Sequence, residues 1–109
     1  MMPYVYILLC ADGSYYTGVT TNLERRLQEH QGGADPRAYT YTRRPVKLVW
    51  AEEVSTYEDA LRLERQIKGW RRAKKEALIR GDFAALHQLV TEERRRRERR
   101  KRRGSKEAP

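Results

Sequence analysis

Apolar side chains near the N-terminus fall into two short runs that read as paired strands. Positions 4–9 (Tyr-Val-Tyr-Ile-Leu-Leu) and 15–20 (Tyr-Tyr-Thr-Gly-Val-Thr) are rich in aromatic and β-branched residues, with Ala11-Asp12-Gly13 between them. This is a hairpin pattern. The loop length decides which side chains share a face, because a one-residue slip inverts both faces of a strand. A two-residue Asp12-Gly13 turn sets Leu9 opposite Tyr16 and puts Tyr6 and Tyr16 on opposite faces. A three-residue loop, with Gly13 in the left-handed position, sets Leu8 opposite Tyr16 and Tyr6 opposite Gly18. That register sorts Val5, Ile7, Leu9 and Val19 onto an apolar face, and Tyr4, Tyr6, Tyr16, Gly18 and Thr20 onto the other. The three-residue loop is the expected one.

Further along, Thr21-Asn22-Leu23-Glu24 has the form of a capping box and starts a helix over 22–31, ended by Gly32-Gly33. Residues 32–45 read as a polar loop, and Val46–Val54 as a third strand. Ser55-Thr56 caps a helix over 57–69, a second covers 71–80, and Gly81 ends it. Asp82 caps a last helix from Phe83 that runs into a basic tail. The order β-β-α-β-α-α-α predicts an α+β fold around one small sheet. The expected division is a core over 1–82, followed by a C-terminal helix and Arg/Lys-rich tail over 83–109.

Composition narrows the function classes. A chain of 109 residues suits one compact core that folds without disulfides. Cys10 is the lone cysteine, so a reducing, cytoplasmic setting is the expectation. No run is apolar enough for a membrane span, and Met1-Met2-Pro3-Tyr4 lacks the shape of a signal peptide. The net charge is +9, and residues 92–109 carry +6 of it with ten Lys/Arg against four Asp/Glu. Such a tail points to a polyanion, nucleic acid first, although charge alone brings attraction without identifying an enzyme.

The candidate chemistry lies elsewhere. In the helix over 57–69, Tyr57, Ala60, Leu61 and Ile67 form an apolar stripe with Glu64 at its centre and Lys68 one turn on. An inward carboxylate is costly unless it is paired or bound to a metal. Either a Glu64–Lys68 ion pair or metal ligation answers that cost. On the first helix, Arg26 and His30 project from the same side, an anion-binding fork beside a group that titrates near neutrality. Tyr4, Tyr6 and Tyr16 beside a bare Gly18 complete a hydroxyl-bearing face.

Together, Tyr4-Val5-Tyr6, Tyr16-Thr17-Gly18, Arg26, His30 and Glu64 resemble the GIY-YIG endonuclease module over roughly residues 3–80. The likeness is greatest to small stand-alone bacterial proteins with this domain. It implies a three-stranded antiparallel sheet flanked by helices and metal-dependent hydrolysis of a DNA phosphodiester. Tyr4 and Val5 replace the first motif's glycine and isoleucine. Tyr4 adds bulk at the presumed cleft and bears on substrate access.

The resemblance implies catalytic roles for Tyr6, Tyr16, Arg26, His30 and Glu64. Glu64 would hold a single Mg²⁺ or Mn²⁺, with no small-molecule cofactor. Tyr6 would act as general base with help from Arg26, the metal and His30. Tyr16 would bond the phosphate or the water, and Lys68 would assist phosphate binding. Arg43, Arg44, Lys47, Lys68, Arg71, Arg72, Lys74 and Lys75 are the candidate DNA-gripping patch. With little chain left for a targeting domain, selection of DNA structure over sequence is expected, by a monomer or weak dimer in repair or recombination. The rival reading is a catalytically inactive, basic nucleic-acid-binding module of the same fold.

Overall fold

The computed structural model describes residues 1–107, with side chains described through residue 103. It forms two compact units, Met1–Trp70 and Arg71–Pro109. The first holds β1 (Tyr4–Leu9), β2 (Tyr15–Thr20), α1 (Leu23–Gly32), a 3-10 turn (Tyr41–Arg43), β3 (Lys47–Glu53) and α2 (Tyr57–Lys68). The second holds α3 (Arg72–Arg80) and α4 (Phe83–Glu107). The fold is α+β, as expected, with an antiparallel sheet in the order β2-β1-β3.

The hairpin takes the three-residue loop. Tyr6 faces Gly18, Leu8 faces Tyr16, and Gly13 carries φ 84°. Asp12 fixes the turn by accepting bonds from the Ser14 amide at 3.0 Å and the Ser14 hydroxyl at 2.6 Å. The β1–β3 ladder shifts register between Ile7 and Leu8, pairing Ile7 with Trp50 and Leu8 with Leu48. Such a bulge bends the strand and re-aims its side chains.

One expectation about the faces needs correction. The tyrosine face is not a separate polar surface, because β1 is the central strand and is buried on both sides. Val5 and Ile7 are fully buried, and so is Leu8; Tyr6 keeps 2 % exposure. Tyr6, Leu8, Cys10 and Val46 form a core cluster, against which Tyr16, Leu23, Leu27 and Leu48 pack. Leu23 and Leu27 lie on α1, so that helix closes this face. Gly18 is what lets the Tyr6 ring lie across β2. A Cβ there would fall 2.5 Å from the Tyr6 hydroxyl oxygen, closer than carbon and oxygen can approach.

Helix starts follow the cap residues. Asn22 accepts from the Arg25 amide at 3.0 Å, and Thr56 from the Asp59 amide at 3.1 Å. Gly33 ends α1 in the left-handed conformation, φ 68°. Gln31 pins that end by accepting from the Val46 amide at 2.9 Å. Helix α2 packs on β1 and β2 through its buried Ala60 and Ile67. Tyr57, expected in the same stripe, is half exposed in the helix's first turn. Within the second unit, Asp82 caps α4 through the Ala85 amide at 3.1 Å, and α3 packs against α4.

Candidate active site

A cleft of about 250 Å³ opens between α1 and the loop over 33–41, and Tyr16 of β2 also lines it. Arg26, Glu29 and His30 enter it from α1, and Tyr39, Thr40 and Tyr41 from the loop. The i,i+4 spacing puts Arg26 and His30 on one side of α1, and the helix seats His30 in the core. Tyr6 reaches the same place from β1, its hydroxyl oxygen 3.0 Å from His30 Nε2.

The other ring nitrogen of His30 lies 2.7 Å from Thr40 Oγ1. Tyr6, His30 and Thr40 therefore form a continuous buried hydrogen-bonded chain; Thr40 keeps 1 % exposure. Around it, the Tyr16 ring meets the His30 ring edge-on at 5.1 Å and tilts toward Tyr6 at 6.3 Å. Tyr39 stacks on Tyr16 at 6.1 Å from the solvent side, where it is 43 % exposed.

Burial sets the electrostatics. It pushes the Tyr6 phenol well above its ordinary range near 10. The neighbouring Tyr16 and the carboxylates of Glu64 and Glu29 push the same way, and Arg26 opposes them. Burial also holds His30 below its ordinary 6.5, and the Arg26 guanidinium adds to that effect. The site at neutral pH thus holds a neutral phenol against a neutral imidazole.

Glu64 stands on α2 with its side chain 17 % exposed, and Lys68 pairs with it at 3.5 Å. Among the described residues, no group of three or more His, Cys, Asp or Glu is arranged to hold a metal. The carboxylates that line the cleft itself are Glu29, 3.8 Å from Arg26, and Asp35, and Glu64 is not among its lining residues.

The basic residues expected to grip DNA divide into groups. Arg43 donates to Asp12 at 3.0 Å and to the Tyr39 carbonyl at 2.7 Å, and it covers the Tyr39 ring at 3.8 Å. Arg44 donates to the Tyr41 carbonyl at 2.8 Å and lies over the Tyr41 ring. Both arginines thus hold the loop that carries Thr40. Lys47 begins β3 and is exposed. In the second unit, Arg71 pairs with Glu92 and Glu93, and Arg72 with Glu76. Lys74 is buried against Glu93 at 2.9 Å, and Lys75 is half-buried on the same helix. Thr40, Tyr39 and Glu29 went unnoticed in the sequence. A buried threonine in a polar loop leaves no periodic signal, and only the i,i+3 spacing of Glu29 from Arg26 hinted at its place.

The match to known proteins follows these same elements. Residues 2–77 fit the profile of the GIY-YIG catalytic domain, from β1 into α3. The chain belongs to the GIY-YIG family. A UPF0213 protein of Syntrophus aciditrophicus is 52 % identical over 77 residues, covering 71 % of this chain and 88 % of that one. A UPF0213 protein of Halobacterium salinarum is 47 % identical over 78 residues, 72 % of this chain and all of the other. Among solved structures, the solution NMR structure of a protein from E. faecalis is 38 % identical, with a TM-score of 0.55 over 77 % of this chain and 88 % of that one. GIY-YIG membership brings with it a nuclease fold. Among the described residues, no helix is long and apolar enough to cross a membrane.

Proposed function

We propose that this GIY-YIG protein is a metal-dependent endonuclease that hydrolyses DNA phosphodiester bonds. The reading rests on one observation, the buried Tyr6–His30–Thr40 chain opening on a cleft that also holds Arg26. A neutral His30 whose Nδ1–H donates to Thr40 presents a lone pair on Nε2 to the Tyr6 hydroxyl. Tyr6 itself is held too neutral to exist as phenolate near pH 7. It can take a proton from an attacking water only while passing its own to His30. The water oxygen then forms the new bond to phosphorus as its proton moves to Tyr6 and the phenolic proton to Nε2.

Arg26 is the cation placed to meet the growing phosphorane charge. Its exposed pairing with Glu29 is weak and exchanges readily for phosphate. Tyr16, lining the cleft beside His30, is placed to hydrogen-bond a phosphate oxygen or the water. The donor chemistry suits one hard cation, because Mg²⁺ needs few carboxylates and keeps several waters. Glu64 is the residue that would hold it. When bound, Mg²⁺ or Mn²⁺ supplies charge to stabilise the departing 3′-oxygen. Lys68, released from Glu64, would assist phosphate binding.

We assign the substrate as structured DNA, the setting as cytoplasmic repair or recombination, and the working form as a monomer or weak dimer. The test is cleavage of labelled single strands, duplexes, flaps and junctions with Mg²⁺, Mn²⁺ or EDTA, for the native protein and Glu64→Ala. Metal-dependent cutting that Glu64→Ala abolishes is the expected result. Equal binding by both proteins without cutting in any metal would leave an inactive DNA-binding module.

A further inference from the structure

The Arg-rich segment of α4 is a helix in which one face differs from the rest. Positions 94–103 hold nine Lys/Arg and one acid, Glu98, and every one of them is exposed. The acids just before them are already engaged. Glu92 pairs with Arg71, and Glu93 with Lys74 and Arg71. That leaves Glu98 as the local counter-charge. At 100° per residue it lies about 200° from Arg96, on the side shared by Arg94, Arg95, Lys101 and Arg102.

Arg96, Arg99, Arg100 and Arg103 lie together on the opposite arc, about 100° wide, and line one shallow groove. They form four like-charged pairs at i,i+3 and i,i+4, each mildly destabilising to the helix. A row of anions along the groove removes that repulsion. From Arg96 to Arg103 the helix rises about 10 Å, and phosphates of one B-DNA strand advance about 3.4 Å each. The face thus spans about three phosphates. No apolar side chain lies between Val90 and Glu107, so this part of α4 has nothing to insert into a bilayer. The face also lies outside the span of the family match. The family match ends at residue 77 and α4 begins at Phe83.

We infer that the Arg96/Arg99/Arg100/Arg103 face of α4 is a second DNA-binding surface, which tracks the phosphates of one strand without reading bases. This rests on the reading that the protein acts on DNA. The surface adds affinity and carries none of the chemistry.

The test is equilibrium binding of the full chain to a fluorescein-labelled 20-base-pair duplex in EDTA, across 50–200 mM KCl, by fluorescence anisotropy. Two full-chain variants are compared with the native protein. One changes Arg96, Arg99, Arg100 and Arg103 to Gln; the other changes Arg94, Arg95, Lys101 and Arg102 to Gln. Both lose four charges, and Gln keeps the helix propensity of Arg. The first is expected to lower the slope of log Kd on log salt by about 3 and to weaken binding at 50 mM by roughly 100-fold. The second is expected to lower the slope by less than about 1. Equal losses in the two variants would overturn the assignment to one face, and no loss in either would overturn the surface altogether. Displacement of the duplex by phosphatidylserine vesicles would overturn DNA as the partner. Metal-dependent cutting is scored separately, so a nuclease without this surface and a binder without turnover give different results.

Discussion

The cleft of the first unit and the Arg-rich end of α4 are opposites in how they use polar groups. At the cleft, His30 and Thr40 of the lining are bonded in series with Tyr6 behind them, all three buried and uncharged, with Arg26 as the cation at the rim. Along α4, nine cations stand exposed on a single helix and one carboxylate stands among them. Burial makes position matter: a neutral hydroxyl held 3.0 Å from a neutral imidazole can move a proton, and no solvated charge can replace it. Exposure makes number matter, since screened charges add nearly interchangeably and bring affinity without orientation. Chemistry and attraction are thus divided between two parts of the chain.

The sharpest way to break this comparison is to remove one atom from the buried chain. Tyr6→Phe deletes the hydroxyl, leaves the ring packed over Gly18, and strands His30 Nε2. Single-turnover cleavage at saturating DNA is expected to slow by about 10³-fold, with duplex affinity nearly unchanged. A loss of tenfold or less would mean that another group takes the water's proton.

A smaller effect is expected one step further from the substrate. Thr40→Val keeps the volume and removes the acceptor for His30 Nδ1–H, so the imidazole no longer prefers the tautomer that faces Tyr6. Cleavage is expected to fall roughly 10- to 100-fold in kcat while KM changes little. A rise in KM with kcat preserved would make Thr40 a mere support of the loop.

The smallest effect concerns β2 and carries the opposite sign. Thr17, the middle residue of the second motif, is 3 % exposed, and its hydroxyl has no hydrogen-bond partner among the described residues. Thr17→Val fills the same space without that cost, so urea unfolding should show a gain of about 1 kcal/mol with cleavage unaltered. Destabilisation by the same amount would reveal a partner for the hydroxyl.

The comparison also explains what could be read along the chain. The hairpin register was legible because, of the two loop lengths open to Asp12-Gly13, the three-residue one sorts Val5, Ile7 and Val19 from Tyr6, Tyr16 and Gly18 onto opposite faces. The closeness of Arg26 to His30 was legible because helical spacing is local. Glu64 stood out as a carboxylate within an apolar stripe. Thr40 did not, since a loop residue enters the core through contacts distant in sequence. Nor could the sequence reveal that Arg43 and Arg44 would be engaged with Asp12, Tyr39 and Tyr41. A surface arginine and one bracing a loop look alike until the fold supplies their partners.

The central claim is that Tyr6 works as a neutral relay into His30. Its most direct test is the pH dependence of single-turnover cleavage from pH 5 to 9 at fixed free Mg²⁺. His30 must be neutral to accept the proton, and its pKa lies below the ordinary 6.5. The rate should therefore rise through that lowered pKa, matching the value found by NMR titration of the His30 ring, and stay flat from about pH 7 to 9. A rate that instead kept climbing tenfold per pH unit through 9 would show that Tyr6 must first ionise, and the relay would be wrong.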